Sequence, residues 1–216
     1  LADADAALTS IPAGTITLVD GLAFGVMPGI LEHHASRLRF VAIVHLPLAF
    51  GVGLAASTAF ELEASERRAL ATARLVVVTG HTTTGLLGPY AVPFEKIVVV
   101  EPGTDRAAVA RGTGDPVELL CVATVNPGKD HEALLRALSG CTASWHLTCA
   151  GSLTRQPMTA ARIRVLIDQL GLAERVVLAG ELDTPALEAA YDRADVFVLA
   201  TRRETYGMAV AEAVAH

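Results

Sequence analysis

Cysteine, aromatic residues and positive charge are all scarce in this chain of 216 residues. The three cysteines, Cys121, Cys141 and Cys149, show neither metal-ligand nor paired-disulfide spacing. Nothing in that spacing indicates a disulfide framework or a finger-type metal module. Cys121 and Cys149 fall in apolar runs and read as buried thiols of a protein in a reducing cytoplasm. Lysine and arginine total 17 against 23 acidic residues, a net charge of -6. That excludes a nucleic-acid partner held by bulk positive charge, but not a local basic pocket. Residues 1–10 have no basic segment and carry Asp3 and Asp5, so no signal peptide is read there. Residues 40–60 contain no Asp, Glu, Lys or Arg, and such a length would just span a bilayer. His45, Pro47, Gly51, Gly53, Ser57 and Thr58 interrupt the run, which predicts a strand, a loop and a helix start instead. The chain opens on Leu1 and stops at His216 inside a helical pattern without a glycine cap, so both ends look cut.

What the chain has in quantity is short apolar runs in alternation with helical patterns. Strands are predicted over 15–20, 39–45, 74–79 and 96–100, with a glycine-rich turn over 21–29 and helices over 30–37, 59–73 and 83–87. Residues 104–116 form a linker, because Gly112, Gly114, Pro116 and several charges stand there without apolar periodicity. The alternation then restarts with strands over 117–124, 144–150, 176–179 and 196–200. Helices are predicted over 131–138, 160–170 and 184–193, the last with Thr184 as N-cap and Pro185 at its first position. Alternating strands and helices imply βαβ units and parallel sheets covered on both faces. The predicted fold class is α/β, with two Rossmann-like domains, 1–103 and 117–216, joined by that linker.

Open parallel sheets bind ligands beyond the carboxyl ends of their strands. The polar residues at those ends are His45, then Thr79 with Gly80 and His81, and the turn Asn126-Pro127-Gly128-Lys129-Asp130-His131. Gly151 with Ser152, Gly180 with Glu181, and Arg202, Arg203 and Glu204 follow. Lys129 stands in a Pro-Gly turn at a helix start, where a cation beside free N–H groups suits a diphosphate. A solvated lysine explains that turn equally well. The last stretch, D-V-F-V-L-A-T-R-R-E-T-Y-G-M-A-V-A-E-A, reads as strand, turn and helix. It puts Glu204 in the turn and Glu212 two turns into the helix, and the N–H groups near Gly207 and Met208 face anions.

Four patterns are set aside. Gly51-Val52-Gly53-Leu54-Ala55-Ala56 matches the dinucleotide-binding glycine pattern but lacks a ribose-binding acid after the next strand. Asp3 and Asp5 follow no strand, and Asp192 and Asp195 suit caps better than metal ligands. His33 and His34 are adjacent on a helix and do not share a face.

Taken in order, V-A-T-V-N-P-G-K-D-H, A-G-S-L, R-V-V-L-A-G-E-L-D-T-P-A-L-E-A-A-Y-D-R-A-D-V-F-V-L and E-T-Y-G-M-A-V-A-E-A resemble the nucleotide-binding domain of retaining GT-B glycosyltransferases, family 4, the group 1 transferases. The first half matches more loosely through V-H-L-P and V-E-P-G-T-D. The resemblance implies transfer of a sugar from a nucleotide-diphosphate donor to an acceptor, with retention and with no essential metal or other cofactor. It implies that Glu204 contacts donor-sugar hydroxyls, Glu212 the ribose, and Lys129 the diphosphate. Backbone around Gly207 and Met208 would face sugar and diphosphate, His45 would reach the donor sugar, and Gly180 and Glu181 would lie near the base. Many members carry arginine where Thr124 stands, which leaves Arg202 or Arg203 to supply the second cation. A GT-B sugar-nucleotide epimerase and a non-catalytic nucleotide-sugar binding fragment are the alternatives. The partners implied are a nucleotide sugar and an unknown acceptor, without nucleic acid. There is no transmembrane segment, and peripheral membrane contact is left open.

Overall fold

The computed structural model describes residues 2–216, and the chain divides into two units, Leu1–Pro102 and Gly103–His216. In the first, β1 (Ile16–Asp20), β2 (Arg39–Val44), β3 (Leu75–Val78) and β4 (Ile97–Val99) form a parallel sheet in the order β1-β2-β3-β4. Phe40, Ala42 and Val44 alternate inward along β2 and meet Phe24, Leu31, Leu70, Val76 and Val78 in one core. β1 departs from the expectation of strands covered on both faces: Ile16 and Leu18 are 61% and 62% exposed, on the edge of the sheet.

The helices of this unit are α1 (Ala2–Ser10), α2 (Gly21–Phe24), α3 (Pro28–His34), α4 (Ala56–Ala71) and α5 (His81–Leu86). Sequence reading missed α1, whose apolar positions are few; its docking is polar. Buried His34 lies 2.9 Å from Asp5, and Arg37 donates to His34 Nδ1 and to the carbonyl oxygens of Ile11 and Leu8. His34 is thus an anchor for α1. The uncharged stretch 40–60 resolves into β2, a 3-10 turn over Leu48–Phe50, a loop holding Gly51 and Gly53, and the start of α4. Among the described residues no helix is long and apolar enough to cross a membrane.

Neighbouring residues of α4 fasten both loops that leave β1 and β2. Ser65 Oγ donates to the Gly25 carbonyl at 2.7 Å, and the Glu66 carboxylate accepts from Leu48 N–H at 2.8 Å. Glu66 is 1% exposed, and burial raises its pKa from 4.5 to about 7 against the opposing effect of the Leu48 N–H and the nearby Tyr90 hydroxyl.

In the second unit, β5 (Val117–Val122), β6 (Trp145–Ala150), β7 (Val176–Gly180) and β8 (Val196–Phe197) form a parallel sheet in the order β7-β6-β5-β8. Helices α6 (His131–Ser139), α7 (Pro157–Gln169), α8 (Thr184–Arg193) and α9 (Met208–Ala215) accompany it. Leu134, Leu135, Ile163, Leu166 and Ile167 pack from α6 and α7 onto Leu119, Cys121, Leu147 and Cys149. Two expectations need correction. β8 pairs with β5 only at Val196 and Phe197, so the predicted strand over 196–200 leaves the ladder early. The cap of α8 is Asp183, which accepts from Ala186 N–H at 3.0 Å, one residue before Thr184.

Residues 104–116 contain neither helix nor strand, yet their second half is fastened within this unit. Asp195 accepts from the N–H groups of Thr113, Gly114 and Glu118 at 2.8–3.0 Å, and Arg111 pairs with Asp192. Those N–H groups, Glu118 first, hold the Asp195 carboxyl below its ordinary range. The two aspartates therefore secure a loop, which short-range capping arguments do not anticipate.

Candidate functional site

All four strands of the second sheet run parallel, so their carboxyl ends and the loops that follow lie along one edge. The β5–α6 loop is shaped by Asn126, whose Oδ1 accepts from Gly128 N–H at 2.9 Å and Lys129 N–H at 3.0 Å. Asp130 takes a left-handed backbone (φ 44°) and caps α6 through Ala133 N–H. The turn after β8 is stitched to this loop: Arg202 N–H and Thr201 Oγ1 both donate to the Gly128 carbonyl, at 2.9 and 3.3 Å.

That stitching brings two predicted residues together across 75 positions of sequence. Lys129 Nζ lies 2.6 Å from Glu204 Oε2, with both side chains about 70% covered (28% and 30% exposed). Gly207 follows at φ 90° as the residue preceding α9. A side chain there would be strained by that backbone, and its Cβ would lie 3.1 Å from Glu204 Cγ. A cation, a carboxylate and a helix N-terminus at Met208 thus converge, a set suited to a ligand with both anionic and hydroxyl groups.

Glu212 sits one turn into α9 and accepts from the Tyr191 hydroxyl at 3.3 Å; burial and then this carboxylate raise the Tyr191 pKa. Glu212 and Met208 line an open cavity of 1040 Å³ together with Thr104, Arg106, Thr184 and Glu188. Lys129 and Glu204 do not line it. Gly180 ends β7 at φ 75°, where the β6–β7 register shifts, and its carbonyl accepts from Gly151 N–H at 2.7 Å. Glu181 follows on the surface. Gly151 (φ 146°) presses on the carbonyl of Ala123, and a Cβ there would lie 2.8 Å from Thr124 N. This close approach packs Gly151 against the backbone of Ala123 and Thr124, just beyond the end of β5. Arg202 is committed elsewhere: its Nε lies 2.7 Å from Asp130 Oδ2, and that pairing holds the Asp130 carboxyl down.

In the first unit, His45 follows β2 and is exposed, with Nε2 3.4 Å from Asp20 Oδ2 at the end of β1. Thr83 Oγ1 donates to the His45 carbonyl at 3.0 Å. Asp20 was missed, although the rule about strand ends points at it directly. Asn126 was also legible, as an Asx turn in an N-P-G sequence. The grouping of Cys121, His131 and Cys149 was not, because it arises from three separate elements.

A family model described as "Glycosyl transferases group 1" matches residues 105–216. A D-inositol 3-phosphate glycosyltransferase of Mycolicibacterium gilvum (strain PYR-GCK) is 30% identical over 154 residues, 66% of this chain and 35% of that protein. The chain therefore spans about a third of the length of this relative. Among solved structures, the sucrose-phosphate synthase from Thermosynechococcus elongatus superposes with a TM-score of 0.75 at 20% identity, over 92% of this chain and 53% of that one. The Anabaena protein HepE in complex with UDP gives 0.72 at 17% identity, over 99% and 60%.

Proposed function

The chain belongs to the group 1 glycosyl transferases, and from that premise we propose that it carries the donor site of a retaining transferase of family 4. Its reaction would move a hexose-type sugar from a nucleotide diphosphate to an acceptor, in the cytoplasm, without an essential metal. The observation that carries this reading is the 2.6 Å contact between Lys129 and Glu204 beside the start of α9. In it the cation suited to a diphosphate and the carboxylate suited to sugar hydroxyls share one spot.

Without donor, the pair neutralises itself. With donor, the diphosphate takes over Lys129, and Glu204 is released to accept from sugar hydroxyls. As the glycosidic bond breaks, charge grows on the leaving diphosphate, where Lys129 and the N–H groups at Gly207 and Met208 stabilise it. Glu212 serves the ribose, Gly180 and Glu181 the base, and Thr124 contributes backbone beside Gly151. For His45 the proposal rests on the resemblance and on its place after β2. The name of the Mycolicibacterium relative and the UDP held by HepE support a nucleotide sugar as donor.

The test is donor hydrolysis and sugar transfer in Lys129→Ala and Glu204→Ala. Both variants should lose transfer while keeping the fold. Unchanged transfer in both would overturn the assigned roles.

A further inference from the structure

Beneath the Lys129 loop, three soft or borderline ligand groups meet in the core of the second unit. Cys121 and Cys149 are partners in register on β5 and β6, and His131 is the first residue of α6. Their Sγ and imidazole nitrogen atoms all lie within 4.8 Å of one another, and each residue is at most 2% exposed. Cys121 Sγ stands 3.9 Å from His131 Nε2. We infer that Cys121, Cys149 and His131 form a three-coordinate site for a soft d10 cation, Cu(I) foremost.

The number of ligands separates this site from a closed tetrahedral zinc site. Bonds of about 2.3 Å to sulfur and about 2.05 Å to nitrogen put the donors about 3.8 Å apart in a trigonal plane, and about 3.6 Å apart in a tetrahedron. The Cys121–His131 separation of 3.9 Å stands about 0.1 Å from the trigonal value and about 0.3 Å from the tetrahedral one. Burial leaves no opening for a fourth, water ligand, and no fourth Cys, His, Asp or Glu joins the group among the described residues. Thiolate and imidazole donors at low coordination number select Cu(I) over oxygen-seeking cations.

Metal binding as two thiolates releases the thiol protons of Cys121 and Cys149 to solvent, and no electron is transferred. Ligation through Nε2 places the imidazole proton on Nδ1, a buried atom without a hydrogen-bond partner. His131 is therefore the weakest of the three ligands. The site would be structural, bracing the start of α6 two residues after Lys129.

The test is anaerobic loading of the intact chain with Cu(I), desalting, and metal content by elemental analysis. Wild type should retain about one equivalent per chain, show thiolate-to-metal absorption in the near ultraviolet, and melt at a higher temperature when loaded. Cys121→Ser and Cys149→Ser should each lower retention about tenfold or more, with their circular dichroism checked to confirm folding. Cys141→Ser, which removes the exposed cysteine, should retain the full amount. Wild type holding no more copper than Cys121→Ser overturns the inference, and so does retention that disappears with Cys141. Neither outcome bears on the donor site, which is probed by nucleotide sugars alone.

Discussion

Glu66→Gln should stabilise the first unit, and by an amount that grows with pH. The carboxylate is buried and accepts from Leu48 N–H, and its pKa stands at about 7 against an ordinary 4.5. The native state therefore holds the proton more tightly than the unfolded chain. Stability from this group is fully present below pH 4.5 and is lost as pH rises through about 7. Linkage over that interval gives about 0.8 kcal/mol lost at pH 5 and about 3.3 kcal/mol at pH 8, so the difference is up to about 2.5 kcal/mol. Glutamine keeps an acceptor for Leu48 N–H but never ionises. Urea unfolding followed by far-ultraviolet circular dichroism at pH 5 and pH 8 measures the gap between variant and wild type. Trp145, the one tryptophan, lies in the second unit, so its fluorescence transition should stay put as an internal control. A gap equal at the two pH values, or a variant less stable than wild type at pH 8, refutes the reasoning.

Other perturbations act on the second unit. Lys129→Ala should weaken donor binding by about 1.5–3 kcal/mol, or about 10- to 150-fold, the range of a charge-assisted contact; calorimetric titration reads it. Gly151→Ala should destabilise by about 3 kcal/mol, because a Cβ collides with the Ala123 backbone at a φ of 146°; a smaller loss in urea unfolding, under about 1 kcal/mol, contradicts the close approach. Asp195→Ala should release the Thr113, Gly114 and Glu118 amides to fast hydrogen exchange. The same protection should persist in wild type above the ordinary carboxylate range and fade as acid titrates Asp195 through its lowered value. Exchange unchanged by the substitution would show that the loop is held by something else.

Much of the architecture was legible because parallel β/α units announce themselves through apolar runs at strand length. β2, β3, β5 and β6 lie where that pattern puts them, and the uncharged stretch 40–60 breaks where Pro47, Gly51 and Gly53 require. What escaped was decided by tertiary contacts. α1 has little apolar periodicity and is docked through Asp5 and Arg37. β8 is short because its chain turns toward Gly128, which no local propensity reports. At the site, each residue could be nominated from its place after a strand, but pairing Lys129 with Glu204 needed the fold. The same holds for Arg202, free to serve as a second cation on sequence grounds and bound to Asp130 in the structure. The Cys121–His131–Cys149 group was invisible to spacing rules for the same reason: its members come from two strands and a helix.

The central claim is that Lys129 and Glu204, a mutually neutralised pair without donor, form one donor site. Calorimetric titration of wild type and Lys129→Ala with UDP, GDP and ADP sugars addresses it most directly. One nucleotide class should bind wild type, and the variant should bind that class at least about tenfold more weakly. Binding of none of the three, or equal binding by both proteins, would contradict the account.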